Sequence, residues 1–269
     1  MTKVSMPIIG WVSEILGWMI NVIYSGLELI GITNIGLSII LFTLVVYLLM
    51  TPLQIKQQKF SKLSAIMQPE LQKIQKKYKG KNNDTAAMQK MQEETQAVYQ
   101  KYGVSPTGSC VQLAIQFPIL MALYQVIYKI PAYVGSVRDI LASAVTSITG
   151  VNGYTDILQQ FITDNKMTRV QLIMDGSKAT SNSVTDFLYA LSPSQWKTLA
   201  ETSQFAGFTD TLNSTAKEIS HVQNFFGLNI ADQPLTYIKA AFVGGSALLA
   251  IVAILIPILA WATQMINLK

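Results

Sequence analysis

Hydrophobic positions in this chain come in two kinds of pattern, unbroken blocks and stripes. The blocks occupy residues 35–53, 110–130 and 237–261. A hydrocarbon core about 30 Å thick needs about 20 apolar residues in a helix, so each block predicts a transmembrane helix. Between the first two blocks the apolar residues thin to every third or fourth position. Phe60, Leu63, Met67, Leu71, Ile74 and Tyr78 form one series, and Met88, Met91, Thr95, Val98 and Tyr102 the other. That spacing is the seam of a short antiparallel coiled coil. Asp84 suits the cap of its second helix, Gly103 its end, and "KGKNN" (79–83) the tip between the two. Pro69 predicts a kink or a restart in the first helix.

Residues 6–30 are striped differently. Gly10, Glu14, Gly17, Asn21, Ser25 and Glu28 recur on one helical face, with Trp11, Ile15, Trp18, Ile20, Val22 and Leu29 around the rest. This suits a helix lying in the membrane interface with its apolar side down. A fourth span is the alternative, since only two charges interrupt the stretch. After the second block, residues 132–235 read as an external helical insert. "SPSQ" (192–195) is a capping signature, 213–226 followed by Gly227 reads as a capped helix, and 155–165 and 183–191 are amphipathic. No strand-like alternation stands out.

The fold class expected is therefore all-α, a polytopic membrane protein with three transmembrane helices. Its segments are an interfacial helix (1–31), span one (32–53), a hairpin (54–107) and span two (108–131). The insert (132–235), span three (236–264) and a short end (265–269) follow.

Composition agrees with the blocks. Only 13% of the 269 residues are charged, against about 25% in soluble domains. Charge also orients the chain. Residues 54–107 hold ten lysines (56, 59, 62, 73, 76, 77, 79, 81, 90 and 101) against Glu70, Asp84, Glu93 and Glu94. Positive loops stay inside, so the hairpin is expected in the cytoplasm and the insert outside. Most of these lysines are a solvated face. Anionic lipid head groups are a further partner, at about 1 kcal/mol per basic residue near the surface. Specific nucleic-acid binding is not expected, because the hairpin has no arginine and few aromatics. A lone Cys110 and a lone His221 leave no disulfide and no Cys- or His-pair metal site. With no phosphate loop or catalytic motif either, no enzyme and no cofactor is expected.

Polar residues inside the spans carry the candidate chemistry. Thr43, Tyr47, Thr51, Gln54 and Gln58 are spaced to share one face of the first helix, running toward the cytoplasm. Ser109, Gln112 and Gln116 form a second stripe at the cytoplasmic end of span two, and Tyr124 and Tyr128 continue its phase. Intramembrane polar groups face protein or water far more often than lipid. Two readings stay open here. The stripes are either interhelical hydrogen-bonding contacts or the lining of a hydrated cavity that lets a polar peptide enter the bilayer.

Three segments then resemble one family. "GLSIILFTLVVYLLMTPLQIKQQKFSKLSAIMQPELQKIQKKY" (36–78), "KYGVSPTGSCVQLAIQFPILMALYQVIY" (101–128) and "ILIPILAWATQM" (254–265) resemble, in order, the conserved helices of YidC-type membrane protein insertases. The resemblance covers roughly residues 6–132 and 236–269 and leaves 133–235 unexplained. It implies five core spans and a hydrophilic groove open to the cytoplasm and closed to the outside. Nascent membrane proteins would be the clients, with the ribosome or the general secretion channel as neighbours, in a bacterial plasma membrane. Carried onto this chain, the groove is lined by Thr43, Tyr47, Thr51, Gln112 and Gln116. Gln54, Lys56 and Gln58 stand at its cytoplasmic mouth.

Two departures follow. Many members of the family place an arginine five residues before the proline that ends the first span, and here that slot holds Tyr47. The family also continues for two spans beyond the position of Lys269, so a piece of a longer protein is expected. The rival readings are a transporter or channel subunit and a scaffold without insertase activity.

Overall fold

A computed structural model of the chain describes residues 7–80, 84–105, 108–168 and 170–267. They form two compact units, one from residues 1–42 and 122–269, the other from 43–121.

The 43–121 unit is built on helix α2 (Ile35–Lys77), which enters it at Thr43. With 43 residues, α2 extends about 65 Å. It passes through Pro52 and Pro69 as one element, so the restart expected at Pro69 does not occur. A proline frees the carbonyl four residues earlier, which for Pro69 is that of Ala65. Both residues are exposed, so water can satisfy the freed group, and the flanking Met, Gln, Glu and Leu favour helix. Helix α3 (Thr85–Lys101) starts on Asp84, whose carboxylate accepts from the amides of Ala86 (3.0 Å) and Ala87 (3.3 Å). It ends on Gly103, which sits at φ +65° while the Val104 amide donates back to the Tyr99 carbonyl. Along the anticipated seam Met67, Tyr78 and Val98 are buried, and every other member is half-buried. Helix α4 (Gly108–Tyr128) begins in this unit.

The other unit holds the insert. Helices α5 (Gly135–Thr149), α6 (Tyr154–Asp164), α7 (Ser181–Tyr189), α8 (Pro193–Ala200) and α9 (Thr209–Gln223) surround one apolar core. Leu141, Ile148, Leu158, Phe187, Leu199, Phe205 and Ile219 are among its buried residues. The capping box read from "SPSQ" is present: Ser192 Oγ accepts from the Gln195 amide, and the Gln195 side chain accepts from the Ser192 amide. Helix α9 stops before the expected 226. The chain turns at Asn224 into a two-residue ladder, β3 (Asn224–Phe225) against β4 (Leu228–Asn229). Gly227 serves that turn, not a helix cap. A similar ladder pairs β1 (Met174–Asp175) with β2 (Lys178–Ala179). The other regular elements among the described residues of the insert are helical, as expected.

Helix α1 (Pro7–Leu29) has two apolar faces, not one. Leu16, Ile20, Tyr24 and Leu27 are buried together with Ser13, while Trp11, Ile15, Trp18 and Val22 are exposed. The buried face packs on the insert. Gly17 lies so close to the Tyr133 ring that a Cβ would collide with it, and Ser136 donates to Glu28 at 2.9 Å. The small residues of the expected polar stripe are thus partly a packing device.

The third expected span, 236–264, is two helices. Helix α10 (Pro234–Phe242) packs on α11 (Ala247–Asn267). Between them Gly244 takes φ +92° and the Gly245 amide donates to the Ala240 carbonyl at 2.8 Å. That closely approached backbone has no room for a Cβ at Gly245. By length and composition α2 is long and apolar enough to cross a membrane, while 113–128 and 247–263 are shorter apolar helical stretches among the described residues.

Candidate functional site

Because α2 is continuous, the phase of its polar stripe survives into the hairpin. Thr43 is half-buried, Tyr47 is 60% exposed and Thr51 is exposed. The Thr51 hydroxyl donates to the Tyr47 carbonyl at 2.9 Å, which occupies its hydrogen and leaves oxygen lone pairs for a visitor. Leu44 and Leu48, next to Tyr47 in phase, are exposed as well. A polar ring on an exposed apolar wall is an amphiphilic surface. Further along, Gln54 is half-buried, and Lys56 and Gln58 are exposed. On α4, Gln116 is half-buried among exposed Leu113, Ile115 and Phe117. Gln112 lies within α4, with its side chain outside the described residues. All eight residues belong to the 43–121 unit.

The hairpin beside this stripe is closed by two ionic clamps that the sequence reading missed. Lys77 contacts Glu94 at 2.5 Å, and the Tyr78 hydroxyl donates to the same carboxylate at 2.9 Å. Lys101 contacts Glu70 at 2.8 Å, and the Tyr102 hydroxyl donates to it, also at 2.8 Å. The lysine above all, and then the tyrosine, holds each carboxyl below the usual carboxylate range. Each glutamate in turn pushes its lysine above the ordinary value. The repeated Lys-Tyr dipeptide was the available signal. Lys56, Lys59, Lys62, Lys73, Lys76, Lys79 and Lys90 are exposed, so they present a basic surface.

In the other unit, a cleft of about 1280 Å³ opens between the end of α1 and α9. Tyr24 and Glu28 line one side, and Ser214, Lys217, Glu218 and His221 the other. His221, read as a solvated helix residue, is exposed there.

The family of 60Kd inner membrane proteins matches residues 27–174, more than half of the chain. The chain belongs to that family. The match takes in α2, the hairpin and α4, and runs on into the insert as far as 174. It stops short of the third motif, 254–265. Among similar proteins, the membrane protein insertase MisCA of Bacillus subtilis is 46% identical over 99 residues, 37% of each chain. The membrane protein insertase YidC of Oceanobacillus iheyensis is 47% identical over 96 residues, 36% of this chain and 37% of its own. That of Bifidobacterium longum is 35% identical over 130 residues, 47% of this chain and 38% of its own. The chain thus spans little more than a third of the length of these relatives. No solved structure matches it. The YidC-type resemblance is borne out, and this is a membrane protein.

Proposed function

We propose that the protein is a membrane protein insertase, offering newly made membrane proteins a hydrophilic groove open to the cytoplasm and to lipid. The observation that carries this reading is the exposed amphiphilic face of α2 around Tyr47, within the stretch matched to the family. Thr43, Tyr47, Thr51, Gln112 and Gln116 line the groove. Gln54, Lys56 and Gln58 form its cytoplasmic mouth.

The physics is that of a partial solvent. An amide moved from water into hydrocarbon without a partner costs roughly 2–7 kcal/mol. Hydroxyl and amide side chains along the groove supply partners to the polar tail of a client while its apolar segment moves into lipid. Nothing is hydrolysed and no cofactor takes part. Residues 35–53 contain no cation, so hydrogen bonding and hydration recruit the tail here, not a buried charge. The topology is multi-pass in a bacterial plasma membrane, with 54–107 cytoplasmic and 132–235 outside. The basic hairpin surface meets anionic lipids and the ribosome or the secretion channel.

Reconstitution tests the reading. Proteoliposomes of the full chain should insert a single-span client whose tail becomes protease-protected, and should pass no small solute. Solute or ion flux without insertion would replace the insertase with a transporter or channel. Neither activity would leave a scaffold.

A further inference from the structure

The turn between β3 and β4 is built against its own preference. Phe225 pairs with Leu228, so the loop has two residues, Phe226 and Gly227. Both have positive φ, +52° and +80°, as a type I′ turn demands. Asn-Gly is the sequence such turns select, because a Cβ in the left-handed region clashes unless the residue is glycine or a short polar one. A bulky aromatic at the first position is the exception that asks for a reason. Core packing does not supply one, since Phe226 is 79% exposed. Its ring meets Phe225 edge-on at 4.5 Å and otherwise projects outward.

The position of the turn supplies the reason. Phe225 packs on Gly36, in the first turn of α2, where a Cβ would strike its ring. A Cβ on Gly227 would meet the Leu249 side chain, in the first turn of α11. Helices α2 and α11 therefore begin on one hairpin. Asn34, just before α2, donates to the Asn224 carbonyl at 2.6 Å and fixes the same junction. In the stretches of chain leading into α2 and α11, Leu29, Ile30, Phe242, Val243 and Leu248 are all strongly exposed.

We propose that Phe226 is an interfacial anchor, seated at the boundary of head groups and acyl chains in the outer leaflet, that sets the depth of the external insert. The inference rests on α2 and α11 entering the membrane from the outside. Its occupant is lipid, because the tip follows directly on Phe225, which packs on the first turn of α2, the helix able to cross the bilayer by length and composition. Phe, with Trp and Leu, is the kind of side chain that interfacial segments bury at the boundary of head groups and acyl chains.

The full chain carrying Phe226→Cys in a Cys110→Ser background, labelled with an environment-sensitive nitrobenzoxadiazole, tests this in phosphatidylcholine–phosphatidylglycerol vesicles without client. A lipid nitroxide placed near the head groups should quench the label strongly, and aqueous iodide only weakly. Full iodide quenching would place the tip in water and overturn the proposal. Protection from both quenchers would mean that protein covers it, and would overturn it equally. Phe226→Asn separates anchoring from folding, since Asn suits the turn. Its insert should resist protease as the parent does, and a newly cleavable insert would make Phe226 a folding residue. Because these readouts need no client, failure of the insertase reading leaves them unchanged, and failure of the anchor leaves insertion unchanged.

Discussion

Tyr102, just past the last turn of α3, donates its phenolic hydrogen to Glu70 of α2 at 2.8 Å, across 32 residues of sequence. Tyr78, at the end of α2, does the same to Glu94 of α3 at 2.9 Å. Each helix thus ends in a Lys-Tyr pair that grips a glutamate of its partner, seven residues before the partner's own clamp lysine. A lysine in the last helical turn also complements the helix dipole. The clamps fix the register that the apolar seam alone leaves loose, since a slide of one turn would break both.

Removing one clamp should therefore loosen the hairpin without unfolding it. Glu70→Gln or Glu94→Gln alone should raise amide hydrogen exchange in α3 a few-fold, since exposed ion pairs are individually weak. The double variant should exceed the two effects combined, because the second clamp holds register when the first is gone. Exchange unchanged in the double variant would show that Met67 and Val98 hold the hairpin by packing alone.

Acid should act on the same bonds. Glu70 and Glu94 are held below the ordinary carboxylate value by Lys101 and Lys77 first, and by the tyrosine hydroxyls second. A depressed folded-state value means the clamp's contribution is complete above the unfolded carboxylate pKa of about 4.3. It is lost as pH falls through the lower folded value. The raised lysines give the opposite edge, with loss only above about 10.4. Hairpin protection, followed by exchange corrected for intrinsic rates, should be flat from pH 5 to pH 9 on this account, and should fall below about pH 4. A midpoint near pH 6.5 would point to histidine and contradict the clamp.

What could be read from the sequence was the chemistry that acts locally. The Asp84 cap, the Ser192–Gln195 box and the seam through Met67 and Val98 depend on neighbours three or four residues away. The breaks were harder. Pro69 fails to end α2 because water reaches the carbonyl it frees, which is a matter of exposure. Gly244 does end α10, because its left-handed backbone turns the chain where hydropathy registers only an apolar run. The clamps needed the register between two helices, and no periodicity within either helix contains that. For the candidate site, the phase of Thr43, Tyr47 and Thr51 along α2 was legible. How that stripe stands against Gln112 and Gln116 is a tertiary relationship, and hence part of the proposal.

Gly17 offers a test of how firmly α1 is held to the insert. Its missing side chain is filled by the Tyr133 ring, so Gly17→Val should destabilise that unit. Forcing methyl groups into a packed contact typically costs about 1–3 kcal/mol, here partly offset by valine's better helix propensity. In detergent the thermal midpoint should fall by several degrees, and Tyr133→Ala should recover part of the loss in the Gly17→Val background. Additive losses in the pair would mean that the two residues are not coupled.

Tyr47 is where this chain differs most from the arginine-bearing pattern, and where the groove reading is most exposed to test. Its ring is 60% exposed and its backbone carbonyl is already engaged by Thr51, so the phenolic hydroxyl is the group it offers to a client. Tyr47→Phe removes that hydroxyl and keeps the ring, whereas Tyr47→Leu removes both. If the groove works by supplying hydrogen bonds, both variants should slow insertion of clients with charged tails. A net hydrogen bond of about 1 kcal/mol corresponds to roughly a fivefold loss. Fully apolar clients should insert at the parental rate. Expression and thermal stability should not change, because an exposed ring contributes little to packing. Equal slowing of both clients would mean that Tyr47 shapes the helix surface and does not solvate the tail. A loss with Leu and none with Phe would assign the effect to the ring face, against which a cationic client side chain can stack.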